Sequence, residues 1–194
     1  MGNRNKLKWL WFGNVHLRWK FLRLTFIQMI IMRKYDADKK SIHAGDNIDA
    51  IIESVEYFSK CLQENSFLEL VIAFIPNTNI VFESQECQNL RKSFKVDRKR
   101  LVVQVLEESE RDWNMSRKQL EKMNTHRGKK ILLHCLRMLV LTNELLDHQT
   151  ISFTASNQIY HELIHSSFES NSWIQIETKY GPMFEEMRKK LNNA

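Results

Sequence analysis

Lys130, His134 and Arg137 stand at i, i+4 and i+7 in the run Lys129-Lys-Ile-Leu-Leu-His-Cys-Leu-Arg-Met-Leu-Val-Leu141. On a helix rising ~1.5 Å per residue, that spacing stacks the three in a row about 10 Å long. Ile131, Leu132, Leu133, Leu136, Leu139 and Val140 cover much of the rest of the circumference. So apolar a helix belongs in a core, and its cationic row must face water, a carboxylate or an anion. Phosphate is the natural anion for such a set. The alternative is a solvated basic edge.

A second string is His161-Glu162-Leu163-Ile164-His165, which has the His-Glu-x-x-His form of a zinc hydrolase. Helical spacing puts both imidazoles on one face with Glu162 beside them as a base. The following residues offer no clear third ligand; Glu169 is the nearest candidate. Asp36 and Asp38 form an Asp-x-Asp pair, but Lys39-Lys40-Ser41 follows instead of the apolar residues that would hold a metal pair on a buried strand. Arg91, Lys92, Lys95, Arg98, Lys99 and Arg100 make the densest basic patch of the body and would be the place for an RNA acceptor. Trp113, Trp173 and Cys135 read as packing residues.

These residues need a body to hold them. The chain has 194 residues, 43% of them hydrophobic, with only 5 Gly and 2 Pro. A scarcity of turn residues disfavours an all-β architecture and points to long helices with few strands. The expected fold class is α+β, predominantly helical, with short strands and a C-terminal helical bundle. Cys61, Cys87 and Cys135 are odd in number and widely spaced, which suits a reducing intracellular setting. A cytoplasmic location is expected, with a mitochondrial one as the alternative.

The net charge of +6 belongs to the N-terminus. Eight Lys and Arg and no acid lie in residues 1–34, which leaves 21 basic against 23 acidic residues beyond. Interleaved with Trp9, Trp11, Phe12, Trp19, Phe21 and Phe26, those cations suit an anionic membrane surface, a nucleic acid, an import receptor or another acidic partner. The apolar run Leu24–Met32 is too short to span a bilayer, and residues 22–32 read as a buried strand, with a membrane-surface or targeting role as the alternative. The expected organisation is a basic aromatic segment, 1–34, before a mainly helical domain, 35–194.

Along that domain, residues 35–46 read as a loop and 48–53 as a strand. Ser54 caps a helix to Gln63, residues 67–75 form a helix stopped by Pro76, and 83–94 form another. Asp97 caps a long helix to about Met123, Thr125–Gly128 breaks it, and Lys129–His148 follows. Ser156 caps a further helix, and Gly181-Pro182 starts a last one over 183–191.

The order of short motifs is that of a known group. Asp49-Ala-Ile-Ile-Glu-Ser-Val-Glu-Tyr-Phe58, Gln63-Glu-Asn65, Leu68-Glu-Leu70, Ile75-Pro76, Val81 and Glu83 precede the Lys-Lys-x-x-x-His-x-x-Arg helix. Over roughly residues 46–165 this resembles a family of predicted nucleotidyltransferases in the DNA polymerase β superfamily. The resemblance implies transfer of a nucleotidyl group from a nucleoside triphosphate to RNA or another acceptor, with carboxylates holding Mg²⁺. It implies a partial nucleotidyltransferase-like fold, with Asp49 at the third catalytic carboxylate position and Lys130, His134 and Arg137 facing the nucleotide phosphates. The family's first two carboxylates follow a Gly-Ser loop, and this chain has no such pair; the nearest strings are Gly13-Asn14 and Asp36-Ala-Asp38. The resulting expectation is a nucleotidyltransferase-like protein, truncated or catalytically impaired, that keeps a phosphate-facing site. A non-enzymatic helical adaptor with a basic N-terminus and a zinc hydrolase through His161, Glu162 and His165 are the alternatives.

Overall fold

The computed structural model describes residues 10–11, 26–32, 39–44, 48–77, 80, 83, 85–165 and 173–193. The chain divides into two compact units, Met1–Lys95 and Val96–Ala194. Seven helices and four strands are described, so the fold is α+β and predominantly helical.

The first unit holds a four-stranded sheet in the order β1-β2-β4-β3, from Leu10–Trp11, Phe26–Met32, Ile48–Ser54 and Lys39–Ala44 respectively. β2 and β4 run parallel; β1 is antiparallel to β2, and β3 to β4. The apolar run expected as a strand is β2. Residues 39–44, expected within a loop, form β3 at the edge of the described sheet, where lysines are tolerated because an edge is not covered on its outer side.

β4 leads straight into α1 (Val55–Gln63), and the Ser54 hydroxyl accepts from the Tyr57 amide at 3.0 Å, the expected cap. Asn65, at φ 57°, turns the chain into α2 (Phe67–Ala73); Asn tolerates that conformation better than most residues. α2 ends two residues before the expected Ile75. Its last turn is sealed by Arg91 of α3 (Gln85–Ser93), which donates to Ala73 O at 2.8 Å, Ile75 O at 2.7 Å and Glu83 Oε1 at 2.8 Å. Arg91 therefore serves the fold of the first unit and is not a loose member of a basic patch.

The second unit is a bundle of four helices: α4 (Arg98–Glu121), α5 (Thr125–His148), α6 (Thr154–His165) and α7 (Trp173–Asn192). Asp97 caps α4 by accepting from the Arg100 amide at 3.1 Å. α5 is the centre of the core, with Leu132, Leu133, Cys135, Leu136, Met138 and Leu139 all at or below 1% exposure. Trp113 stacks on Phe184 at 4.3 Å and meets Trp173 edge-on at 5.0 Å, so both tryptophans pack as expected.

At three other places the helix boundaries differ from the sequence expectation, each because packing overrides a local signal. The break between α4 and α5 falls at Met123, with φ 64°, and Thr125–Gly128 form the first turn of α5. Gly128 is kept for a close helix crossing, where Ser116 Oγ donates to its carbonyl at 2.9 Å. α6 begins at Thr154, so Ser156 lies inside it and donates back to Phe153 O at 3.1 Å. α7 runs unbroken through Gly181-Pro182, because Trp173, Ile176, Tyr180, Phe184 and Leu191 form one buried stripe across the breaker. Among the described residues, no helix is long and apolar enough to cross a membrane.

Candidate functional site

α5 carries the cationic row, and its neighbours separate the three residues. Lys130 is exposed. His134 leans towards α4, where its Nδ1 lies 2.9 Å from Asp112 Oδ2. The Asp112 side chain is 12% exposed and that of His134 56%, so the carboxylate is the inner partner and the ring the outer one. Arg111 Nε approaches the other Asp112 oxygen at 3.5 Å from the solvent side. The tautomer that donates Nδ1–H to Asp112 makes Nε2 the lone-pair nitrogen of the neutral ring.

Arg137 goes the other way. It is half-buried, and its Nε is sealed from solvent with no hydrogen-bond acceptor among the described residues. Burial pushes its pKa down to about 10, and the influence of Tyr160 on α6 only partly opposes this. No carboxylate among the described residues pairs with it. Lys129, one position before the row, is half-buried, and desolvation lowers its pKa as well.

Cys135 points from α5 into the core, donating to Ser109 O at 3.3 Å, and burial raises its thiol well above the ordinary range. Behind it, Arg188 of α7 donates to Leu106 O at 2.7 Å and Ser109 Oγ at 2.8 Å and pairs with Glu110 at 3.0 Å. That arginine is fully engaged in joining α7 to α4.

Asp49 lies on β4 in the first unit, opposite Ile27 of β2 and His43 of β3. Asp36 and Asp38 lie outside the described residues, as does Glu169. His161 and Glu162 are exposed on α6, where Glu162 Oε1 accepts from Gln158 at 3.1 Å; His165 ends that helix. Among the described residues, no group of three or more His, Cys, Asp or Glu could hold a metal ion. The described side chains thus give Mg²⁺ no built site.

Sequence reasoning missed Asp112 and Tyr160. The signal for Asp112 was present: Leu101, Val105, Ser109, Asp112, Ser116 and Leu120 share one buried helical stripe of α4, and a carboxylate there requires a partner. Tyr160 carried no such mark, since a buried tyrosine is ordinary core material.

No protein-family model matches the chain, and no curated protein matches its sequence. Among solved structures, it is similar to a nucleotidyltransferase-like protein from Exiguobacterium sibiricum 255-15, at 12% identity and a TM-score of 0.40, over 96% of this chain and 69% of the other.

Proposed function

We propose that the protein is a nucleotidyltransferase-like binding protein whose second unit receives the phosphates of a nucleoside triphosphate along α5. Arg137 carries this reading. A guanidinium with a sealed, unsatisfied Nε and no carboxylate among the described residues is a costly thing to keep in a bundle that could hold Leu or Met there. A phosphate oxyanion relieves that cost with charge-assisted hydrogen bonds, and guanidinium geometry matches it in bidentate fashion.

Lys130, exposed one turn below His134, adds a mobile point charge for a second phosphate group. The resemblance of residues 46–165 to nucleotidyltransferases supplies the ligand class, and by that resemblance alone Asp49 stands for the third catalytic carboxylate. The lack of a Gly-Ser loop with its Asp-x-Asp strand in this chain favours binding over turnover.

The test is thermal unfolding of the full chain with each of the four nucleoside triphosphates, with and without Mg²⁺, repeated on Lys130→Ala/Arg137→Met. Ligand at ~100 times its dissociation constant adds roughly 2.7 kcal/mol, which raises the midpoint by roughly 5–10 °C in a chain of this size. A shift abolished in the double variant supports the reading. No shift with any nucleotide, or a shift that survives the double substitution, overturns it.

A further inference from the structure

The turn between α4 and α5 carries more than a chain reversal requires. We propose that this end of the helical bundle docks on an anionic lipid surface, with Met123 entering the headgroup layer and Lys118, Lys122 and Arg127 meeting the lipid anions. The proposal goes beyond the nucleotide reading and uses none of its residues.

Met123 follows the last turn of α4 at φ 64°, in the left-handed region. Its amide donates to Leu120 O at 2.9 Å and the Asn124 amide donates to Gln119 O at 2.9 Å, the paired bonds of a helix end that ordinarily takes Gly. A long side chain strains the backbone there. This one is also 70% exposed, so core burial does not offset the strain. Ile174 is 74% exposed towards the same end of the bundle, beside Trp173, whose ring meets Trp113 at 5.0 Å and lies 6.0 Å from the Arg117 guanidinium.

The charges next to Met123 have one sign. Lys118, Lys122 and Arg127 are exposed and make no ion pair among the described residues. The nearby acids are turned to Arg117: Glu121 accepts from it at 2.9 Å, and Glu177 acts on the same guanidinium. Lys118 and Lys122 suit the C-terminal end of α4, whose carbonyls favour cations. Arg127 lies in the first turn of α5, the end that favours acids, and that turn holds none. Helix stability therefore accounts for the two lysines and not for Arg127 or Met123.

An apolar tip among cations matches a bilayer interface, where acyl chains adjoin anionic headgroups. A nucleic-acid backbone would use the cations and leave Met123 and Ile174 without a contact. Base stacking has no platform at this end either, since no Trp, Tyr or Phe of the second unit is exposed among the described residues.

The experiment is co-sedimentation of the full chain with vesicles of phosphatidylcholine alone and with about 30% phosphatidylserine added. Residues 1–34 hold eight cations of their own, so the variants decide and not the wild type. Met123→Gly suits the φ of its position, and its melting midpoint should be unchanged or raised. Its affinity for the mixed vesicles should fall by about three- to tenfold, the loss of one apolar side chain from the interface. Lys118→Gln/Lys122→Gln/Arg127→Gln should lose on the order of a hundredfold, roughly fivefold for each cation. Lys92→Gln/Lys95→Gln/Lys99→Gln removes as many exposed charges elsewhere and should lose less than about threefold, because screening confines the attraction to cations near the surface.

Equal losses in the two triple variants show an effect of net charge alone and overturn the proposal. Met123→Gly that binds the mixed vesicles as well as the wild type overturns it too. Repeating the series with duplex DNA separates the rival occupant: if the first triple variant loses duplex binding but keeps vesicle binding, the surface serves a nucleic acid and the lipid reading falls.

Discussion

Replacing Arg137 by Met should make the ligand-free protein more stable, an unusual direction for a half-buried position. The guanidinium's pKa falls to about 10, against an ordinary value of about 12.5, and each pKa unit is worth about 1.4 kcal/mol. Holding the cation on α5 therefore costs at most about 3.5 kcal/mol, and partial exposure reduces that to roughly 1–2 kcal/mol. Met keeps most of the aliphatic length of the side chain and removes only the charge and its unsatisfied Nε. Because the folded-state pKa lies below the unfolded one, the penalty is fully present below about pH 10 and lessens only as pH rises above it, so the whole gain appears near neutrality. Urea unfolding followed by far-ultraviolet circular dichroism should show a higher midpoint with an unchanged slope. Arg137→Lys keeps a charge at the position and should give no such gain. Nucleotide binding by Arg137→Met should weaken on the order of 30- to 100-fold, the loss of a charge-assisted pair. If Arg137→Met instead loses more than about 1 kcal/mol, the arginine is already satisfied by the bundle and the case for an anion there collapses.

Gly128→Ala tests the α4–α5 crossing. An added Cβ would sit 2.5 Å from Leu120 Cγ and 3.3 Å from the Leu120 amide nitrogen, so overpacking of about 1–3 kcal/mol should outweigh the ~1 kcal/mol gained in helix propensity and lower the melting midpoint by a few degrees; an unchanged or raised midpoint contradicts that geometry. Arg91→Met removes three donors from Ala73 O, Ile75 O and Glu83. Hydrogen exchange of the α2 and α3 amides should quicken by an amount equivalent to about 3 kcal/mol, and a change below about 1 kcal/mol would show that Arg91 is dispensable.

What could be read directly from the sequence was local chemistry. Ser54 and Asp97 cap their helices because a short side chain at the first position needs only its own backbone to act. Leu24–Met32 pointed to a strand through its apolar composition, and β2 occupies Phe26–Met32. The misread boundaries share one cause. Gly128, Ser156 and Gly181-Pro182 are local breakers, and each lies within a helix whose buried stripe comes from distant parts of the chain. Pro182 forfeits a backbone hydrogen bond, yet Tyr180 and Phe184 on either side are 1% and 2% exposed, so ending the helix would cost more than continuing it. β3 was missed for the converse reason: Lys39-Lys-Ser-Ile-His-Ala44 has little strand character of its own and is extended through its pairing with β4.

The row on α5 shows how far residue spacing alone can carry a functional argument. At 100° per residue, positions i, i+4 and i+7 are not collinear: relative to Lys130, His134 is turned by about 40° one way and Arg137 by about 20° the other. In an isolated helix that spread is trivial. In a bundle it decides which neighbour each side chain meets, and here it sends His134 to Asp112 on α4 and Arg137 towards Tyr160 on α6. Three basic residues with one sequence signature thus meet three different surroundings: one solvated, one paired, one buried with no acceptor for its Nε among the described residues. A solvated lysine is compatible with any surface, and a paired histidine with a simple interhelical latch. Only the unsatisfied guanidinium distinguishes a ligand site from a basic edge, and so the nucleotide-binding reading stands or falls with Arg137.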